Sequence, residues 1–302
     1  MAVLYNKIDA GEKLGRQYRL TIQSVDENDN PIDEAIVITN PITLRFMVNR
    51  TLFADINSMD VELYNLAPDT YNKLFFDFFN TKRRTIILEA GYKGQELSII
   101  FIGDVWNCYT SRQGSDIITK IHALTALKSL QVQSDATLAN ISRNKILTYA
   151  ASDMALDIEI YSGEDTKFSR PVSISGNSMK IIKKYTDENA YIDNNKIIVL
   201  ENQDAIKGEV PLINDESGLL GVPRHEDALL SVDIILEPRI VIGQIIEIKS
   251  RIMSEFDGQY KVYGIKHEGI ISDAVSGSAT TTLEMLVGTQ VYGRFHVKSK
   301  QQ

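Results

Sequence analysis

The sequence predicts a mainly β protein with an α/β insert: two β-barrel or sandwich domains plus a small α/β domain between them. Three observations predict it. The first third alternates apolar and polar residues with the period of two that half-buried strands require. The last third breaks into short apolar runs at regular spacing, the pattern of a sandwich or barrel. Between them the chain changes character and alternates helix and strand segments, a compact α/β module. The expected divisions are 1–132, a first β-domain with one packed helix; 133–205, the α/β insert; 206–290, a second β-domain able to share strands with other segments; and 291–302, a polar C-terminal tail.

In the first third, "ITLRFMVNR" places Ile42, Leu44, Phe46 and Val48 on one face and Thr43, Arg45, Met47 and Asn49 on the other. "TIILEAGY" and "LSIIFIGDVW" follow as β-branched runs. In "SDIITKIHA", Ile117, Thr119, Ile121 and Ala123 share a face, opposite Lys120 and His122. One helix interrupts the strands. Pro68 suits a first helical turn, where its missing N–H is no loss, and Asp69 complements the positive end of the dipole. Tyr71, Leu74, Phe75, Phe78 and Phe79 then form a stripe expected to pack on the sheet rather than line a ligand pocket.

From about Thr137 the chain reads as helix through "LANISRNKILTYAASDM", then strand "LDIEIY", loop "SGEDTKFSRP" and strand "VSIS". A helix over "NSMKIIKKYTDEN" follows, with Asn177 or Ser178 as its N-cap. The hairpin "YIDNNKIIVL" turns on residues that tolerate positive φ. After residue 206 come "EVPLI", "LLSVDIIL", "QIIEIKSR", "QYKVYGIKH" and "TTTLEMLV", divided by "NDESG", "EPRIVIG", "EFDG" and "EGIISDAVSGS". Two β blocks around an insert suggest a diverged duplication.

A chain of 302 residues exceeds the usual domain of about 150 and buries about three quarters of its unfolded surface, so it needs no metal or disulfide for stability. Its single cysteine excludes an internal disulfide and a CxxC site, which fits a reducing cytosol. The N-terminus lacks the basic and apolar regions of a secretory signal, and no apolar run reaches membrane-spanning length. The formal net charge of −8 disfavours clamping nucleic acid or docking on anionic lipid.

The motifs of phosphate loops, dinucleotide folds, zinc proteases and nucleophile elbows are absent. His122, His225, His267 and His296 are scattered, with no pair at helical ligand spacing. His267, read as ending a strand, is expected at the surface or as a cap. Cys108 in "WNCYT" is expected to be a buried or edge thiol rather than a nucleophile. "DENDN" at residues 26–30 lacks the Gly and downstream Glu of a calcium loop and reads as a solvated hairpin turn. Pairs among 40 acidic residues arise by chance, so they mark no glycosidase.

The stretch "GVPRHEDALLSV" packs Arg224, His225, Glu226 and Asp227 together. Gly221 and Pro223 read as a turn, and Asp227 as the residue before a strand. Consecutive residues of an extended segment point to opposite sides, so the four cannot converge on one substrate and form a polar rim. The expected catalytic, cofactor-binding and metal-binding residues are therefore none, and no cofactor is expected.

"SMDVELYNLAPDTYNKL", "TIILEAGY", "IFIGDVWNCYTSRQGSDIITKIHA", "GLLGVPRHEDALLSVDIILEPRIVIGQIIEIKS" and "GQYKVYGIKHEG" together resemble the baseplate hub proteins of contractile-tailed bacteriophages. The middle "VSISGNSMKIIKKYTDENAYIDNNKIIVL" is similar to that family's α/β insert, so the resemblance covers nearly the whole chain. It implies a structural protein and not an enzyme: a homotrimer with two tube-protein-like β-domains per chain, presenting six similar domains between a six-fold tail tube and a three-fold central spike. The implied partners are other copies of the chain, the tail tube or tube-initiator protein, the spike and other baseplate proteins. DNA passes through without specific binding, and there is no membrane segment. The implied location is the virion tail, after synthesis in the host bacterial cytoplasm.

Three copies would carry 3 × −8 = −24 formal charges, able to repel DNA if the acids face the lumen. Some hubs carry a lytic domain, for which no spare segment is seen. The rivals are an inner-tail tube-initiator component, a carbohydrate-binding or degrading tail protein for which Trp106 alone argues weakly, and an unrelated intracellular β-protein.

Overall fold

The computed structural model describes residues 13, 15–26, 29–52, 54, 56–79, 83–208, 210–226, 229–286 and 296–298, those at 75–79, 226, 286 and 296–298 by backbone alone. Strands β1 (Arg16–Val25), β2 (Ile36–Thr39), β3 (Leu44–Thr51) and β4 (Ser58–Tyr64) precede helix α1 (Pro68–Phe79). Then come β5 (Arg83–Tyr92), β6 (Ser98–Gln113) and β7 (Asp116–Leu124). The middle holds β8 (Gln133–Leu138), α2 (Arg143–Asp153), β9 (Asp157–Ile160), β10 (Val172–Asn177), α3 (Ser178–Tyr185), β11 (Ala190–Asp193) and β12 (Lys196–Val199). The chain continues through β13 (Asp204–Ile206), β14 (Leu212–Ile213), β15 (Leu219–Glu226), β16 (Leu229–Ile235), β17 (Ile245–Ile248), β18 (Gly258–Ile271), β19 (Ala279–Leu286) and β20 (His296–Lys298).

One sheet runs through most of the protein, in the order β15-β16-β19-β18-β3-β4-β7-β6-β5-β1-β2, with β17 pairing β18 and β14 pairing β17 off this path. Its alternation is legible in burial. Leu44, Phe46 and Val48 of β3 are buried while Arg45 is exposed, and Met59, Val61 and Leu63 of β4 follow suit. These residues join Tyr18, Leu20, Ile22, Ile86, Leu88 and Phe101 in a first core. A second core gathers Leu230, Val232, Ile234, Val262, Ile265, Leu283 and Met285. A third, built on Ile146, Leu147, Ile182, Ile197 and Val199, belongs to the α/β segment.

Helix α1 begins at Pro68, and its Leu74 is buried in the first core with Tyr71 packed against it. The side chains of Phe75, Phe78 and Phe79 lie outside the described residues. In the α/β segment Asn177 is the cap, accepting the Lys180 N–H. The β11–β12 turn runs through Asn194 and Asn195 at φ 46° and 57°. One expectation is corrected there: residues 133–138 form β8, paired with β10, and α2 starts only at Arg143 with Ser142 as N-cap. The β-ladder with "VSISGN" overrides the weak helical preference of "TLA".

Two further corrections concern strand limits. Gly221 and Pro223 are no turn: they lie within β15, where the register against β16 shifts between Leu220 and Arg224. A bulge absorbs the extra residues, and Pro is tolerated because β15 is an edge strand. His267 does not end a strand. β18 continues to Ile271, and His267 is fully buried in it. The following "EG" looked like a break, but Gly269 is there because a Cβ would meet the Ala279 Cα at 2.4 Å. Glycine lets β19 approach rather than stopping the strand.

Candidate functional site

Within the sheet the same five-strand unit occurs twice. The strands β3 to β7 are ordered β3-β4-β7-β6-β5, and β15 to β19 are ordered β15-β16-β19-β18-β17, all antiparallel. The registers also agree. Met59, Val61 and Leu63 of β4 oppose Ala123, Ile121 and Thr119 of β7. Leu230, Val232 and Ile234 of β16 oppose Met285, Leu283 and Thr281 of β19 in the same way. Each fourth strand carries one extra residue against its partner, Trp106 in β6 and Tyr263 in β18. Even a polar contact is matched: Thr110 Oγ1 lies 3.1 Å from Thr119 Oγ1, partly buried, and His267 Nδ1 lies 2.8 Å from Thr281 Oγ1, fully buried.

The two units join inside the chain, residues 264–271 of β18 pairing with β3 from Thr51 back to Leu44. Eight strands, β6-β7-β4-β3-β18-β19-β16-β15, thus share one apolar face over both cores and one polar, open face. The polar face carries both signs of charge. Lys120 lies 2.7 Å from Glu62, Lys266 2.7 Å from Glu268, Arg224 2.8 Å from Asp233, and Arg45 3.9 Å from Glu62. Hydrogen bonding to Lys120 holds the Glu62 carboxyl below its ordinary range. A trough of about 450 Å³ lies on this face, lined by Arg45, Met47, Asp60, Glu62 and Glu268 among others. The named charges of this face thus stand in pairs.

The α/β segment is pinned to this sheet by its hairpin. Arg50 Nε and Nη2 donate to the two Asp193 carboxylate oxygens at 2.8 and 2.6 Å, both residues buried. The Asn194 and Asn195 side chains accept the Ile102 and Ala126 N–H groups, each at 3.1 Å. Asn57 donates to the Ile192 carbonyl at 3.0 Å. These residues carry no motif in sequence, but the doubled Asn of a tight turn is a visible signal.

The residues singled out by sequence do not converge. His122 Nδ1 meets Asp60 at 2.8 Å on the polar face, His225 is exposed on β15, His267 is buried, and the His296 side chain lies outside the described residues. Burial holds the His267 imidazole down at about 3, helped by Arg50, and its Nε2 has no partner among the described residues. Cys108 is buried in β6 and its thiol is pushed up to about 11 by burial, opposed by Arg84. Arg224 pairs with Asp233; the Glu226 side chain and Asp227 lie outside the described residues. Glu27 and Asn28 do too, while Asp26 closes the turn on Asn30, accepting its backbone and side-chain N–H groups at 2.8 and 3.1 Å. Among the described residues no group of three or more His, Cys, Asp or Glu could hold a metal ion, and no helix is long and apolar enough to cross a membrane.

Residues 20–273 match the family described as Baseplate hub gp41. No curated protein matches the sequence. The fold is similar to the 43 kDa tail protein of prophage MuSo2 from Shewanella oneidensis, with TM-score 0.58, 10% identity, and 90% of this chain and 98% of that one covered. A tail protein from Neisseria meningitidis MC58 is similar at TM-score 0.59 and 7% identity, covering 90% and 98%. The E. coli c3393 protein, a type VI secretion component, is similar at TM-score 0.54 and 8% identity, covering 85% and 76%.

Proposed function

The chain belongs to the family of baseplate hub gp41 proteins, and we propose that three copies close into a ring joining a six-fold tail tube to a three-fold central spike. The observation that carries this reading is the repeated five-strand unit. Two look-alike units per chain give three chains six near-equivalent positions, so one face can meet a six-fold partner and the other a three-fold one. The same chain must obey three-fold symmetry and imitate six-fold symmetry, and an internal repeat is what reconciles the two.

The polar face of the sheet then serves as the wall of a DNA conduit. Affinity for a duplex comes mainly from Lys and Arg free to replace the counterions of phosphate. Here Lys120, Arg224 and Arg45 are paired with carboxylates on neighbouring strands, and Lys266 with Glu268 of its own strand. The wall therefore gives passing DNA little to hold, by local pairing rather than by bulk repulsion. The protein's role is structural, with the tail tube or tube-initiator protein, the spike and other baseplate proteins as partners in the virion.

Native mass measurement of the purified protein tests the reading. Three copies support the hub, whereas six copies favour a tube or tube-initiator component. Release of sugars from cell-wall or polysaccharide substrates by pure protein would favour the carbohydrate-degrading alternative.

A further inference from the structure

The α/β segment touches both five-strand units, and its β11–β12 hairpin does so within a few consecutive residues. Tyr191 of β11 belongs to the second core with Ile240 and Ile242, and its Oη donates to the Ile242 carbonyl at 3.5 Å. The next residue turns to the first unit, the Ile192 carbonyl accepting from Asn57 Nδ2 at 3.0 Å. Asp193 then takes Arg50 of β3, and Asn194 and Asn195 take the N–H groups of Ile102 and Ala126. Arg50 stands opposite Ile265 of β18, so this contact lies on the joint between the units itself. Behind the hairpin, the fully buried Lys261 of β18 donates to the Glu201 and Asn202 carbonyls at 2.9 and 3.4 Å. It fastens the chain leaving β12 to the second unit.

Pairing of β18 with β3 joins the units without fixing the angle between them. The rotation between neighbouring strands ranges over roughly 10–35°, so a joint of one strand pair is a hinge. Both cores lie on the same side of the sheet, and bending at the joint changes the gap between them. The hairpin fills that gap with a buried ion pair and hydrogen bonds, which hold a geometry because they weaken steeply when misaligned. Elsewhere the units are tied directly. Tyr92 Oη donates to the Leu236 carbonyl at 2.8 Å, and Arg16 Nη1 to the Ile270 and Gly277 carbonyls at 3.1 and 2.6 Å. A tie resists widening and a filled gap resists narrowing, so together they leave one angle.

We propose that the β11–β12 hairpin is the wedge that sets the angle between the two units, with Tyr191, Asp193, Asn194 and Asn195 as its positioning residues. The angle matters because head-to-tail copies close a ring only when their rotations sum to a full turn. Three copies multiply any error in it by three. That consequence rests on the ring reading; the wedge itself does not.

Asn194→Gly with Asn195→Gly tests the wedge. Glycine keeps the positive φ of this turn, so the hairpin still forms, while both side-chain acceptors are lost. Spin labels attached at Ser111→Cys of β6 and Ser231→Cys of β16 stand six strand spacings apart and read the angle as a distance of up to roughly 30 Å. The native Cys108 is buried and takes no label. The distance distribution should be narrow with the hairpin intact and broader or shifted in the double variant. Native mass of the unlabelled proteins should show trimer formation weakened by about tenfold or more, the worth of one or two lost hydrogen bonds. Leu147→Ala destabilises the same segment from its own core and removes none of these contacts, so it should keep both the distance and the trimer. If the double variant does not fold, Asn194→Gly alone carries the same comparison. A distribution that the loss of the asparagines leaves unchanged overturns the wedge. A changed distribution in a protein that forms trimers as readily as before overturns its part in closure. An unaltered protein that stays monomeric at every concentration overturns the ring reading instead, and the label distances still decide the wedge.

Discussion

Trp106 and Tyr263 occupy the same bulge of two matching strands, yet Trp106 is 56% exposed and Tyr263 only 1%. The difference lies in what stands beside each strand. The Tyr263 carbonyl accepts the Leu52 N–H at 2.9 Å from the chain leaving β3, and Tyr263 Oη is 3.4 Å from the Asn202 carbonyl. Trp106 has no such neighbour within its own chain among the described residues.

The chain holds a single tryptophan, so its fluorescence reports this one place. Emission should move to shorter wavelength as concentration drives copies together. Trp106→Ala should weaken assembly by about tenfold or more, the range of an aromatic interface anchor. Emission that is unchanged between monomer and assembled particle would show that Trp106 is not covered.

Arg50 and Asp193 tie the hairpin of the α/β segment to the sheet, 2% and 6% exposed respectively. Asp193→Ala leaves a buried guanidinium without its carboxylate and should cost about 3–5 kcal/mol, read as a lower denaturant midpoint. Replacing both, Arg50→Met with Asp193→Leu, should lose less than the single change, because no charge is then stranded. A double variant weaker than Asp193→Ala would contradict this.

His267 makes stability sensitive to acid. Its folded value of about 3 lies below the ordinary 6.5, so between these limits the unfolded chain binds a proton that the folded chain refuses. The stabilisation is complete above about pH 6.5 and falls by about 1.4 kcal/mol per pH unit as the pH drops towards 3. His267→Thr, which copies Thr110 at the matched place, should flatten this part of the stability–pH curve. Equal slopes for the two proteins would contradict the assignment.

Cys108 should not react with thiol reagents in the folded protein. Its side chain is buried and its thiol is raised to about 11, which leaves almost no thiolate near neutrality. Labelling should appear only with denaturant, and prompt labelling of native protein would contradict the placement.

The alternations of "ITLRFMVNR" and "SDIITKIHA" read directly as strands because one face of each meets a core. The helix after Pro68 and the Asn194–Asn195 turn were equally plain, since backbone chemistry is local. β18 was misjudged because Gly269 signals a break in sequence, and only the approach of Ala279 reveals its purpose. The β3–β18 joint was illegible: it pairs residues more than two hundred positions apart, and no local pattern encodes a partner. The repeat itself was suspected from two β blocks, but the shared register emerges only when strand order is known. The cross-strand charge pairs of the polar face, Lys120 and Arg45 with Glu62 and Arg224 with Asp233, were hidden for the same reason, each partner lying on a different strand.

The account stands on a ring of six look-alike units made by three chains. An image of the assembled particle down its axis tests this most directly. It should show three subunits and six similar lobes around an open bore. A closed particle without a bore, or lobes related by three-fold symmetry alone with the two units unlike in position, would contradict it.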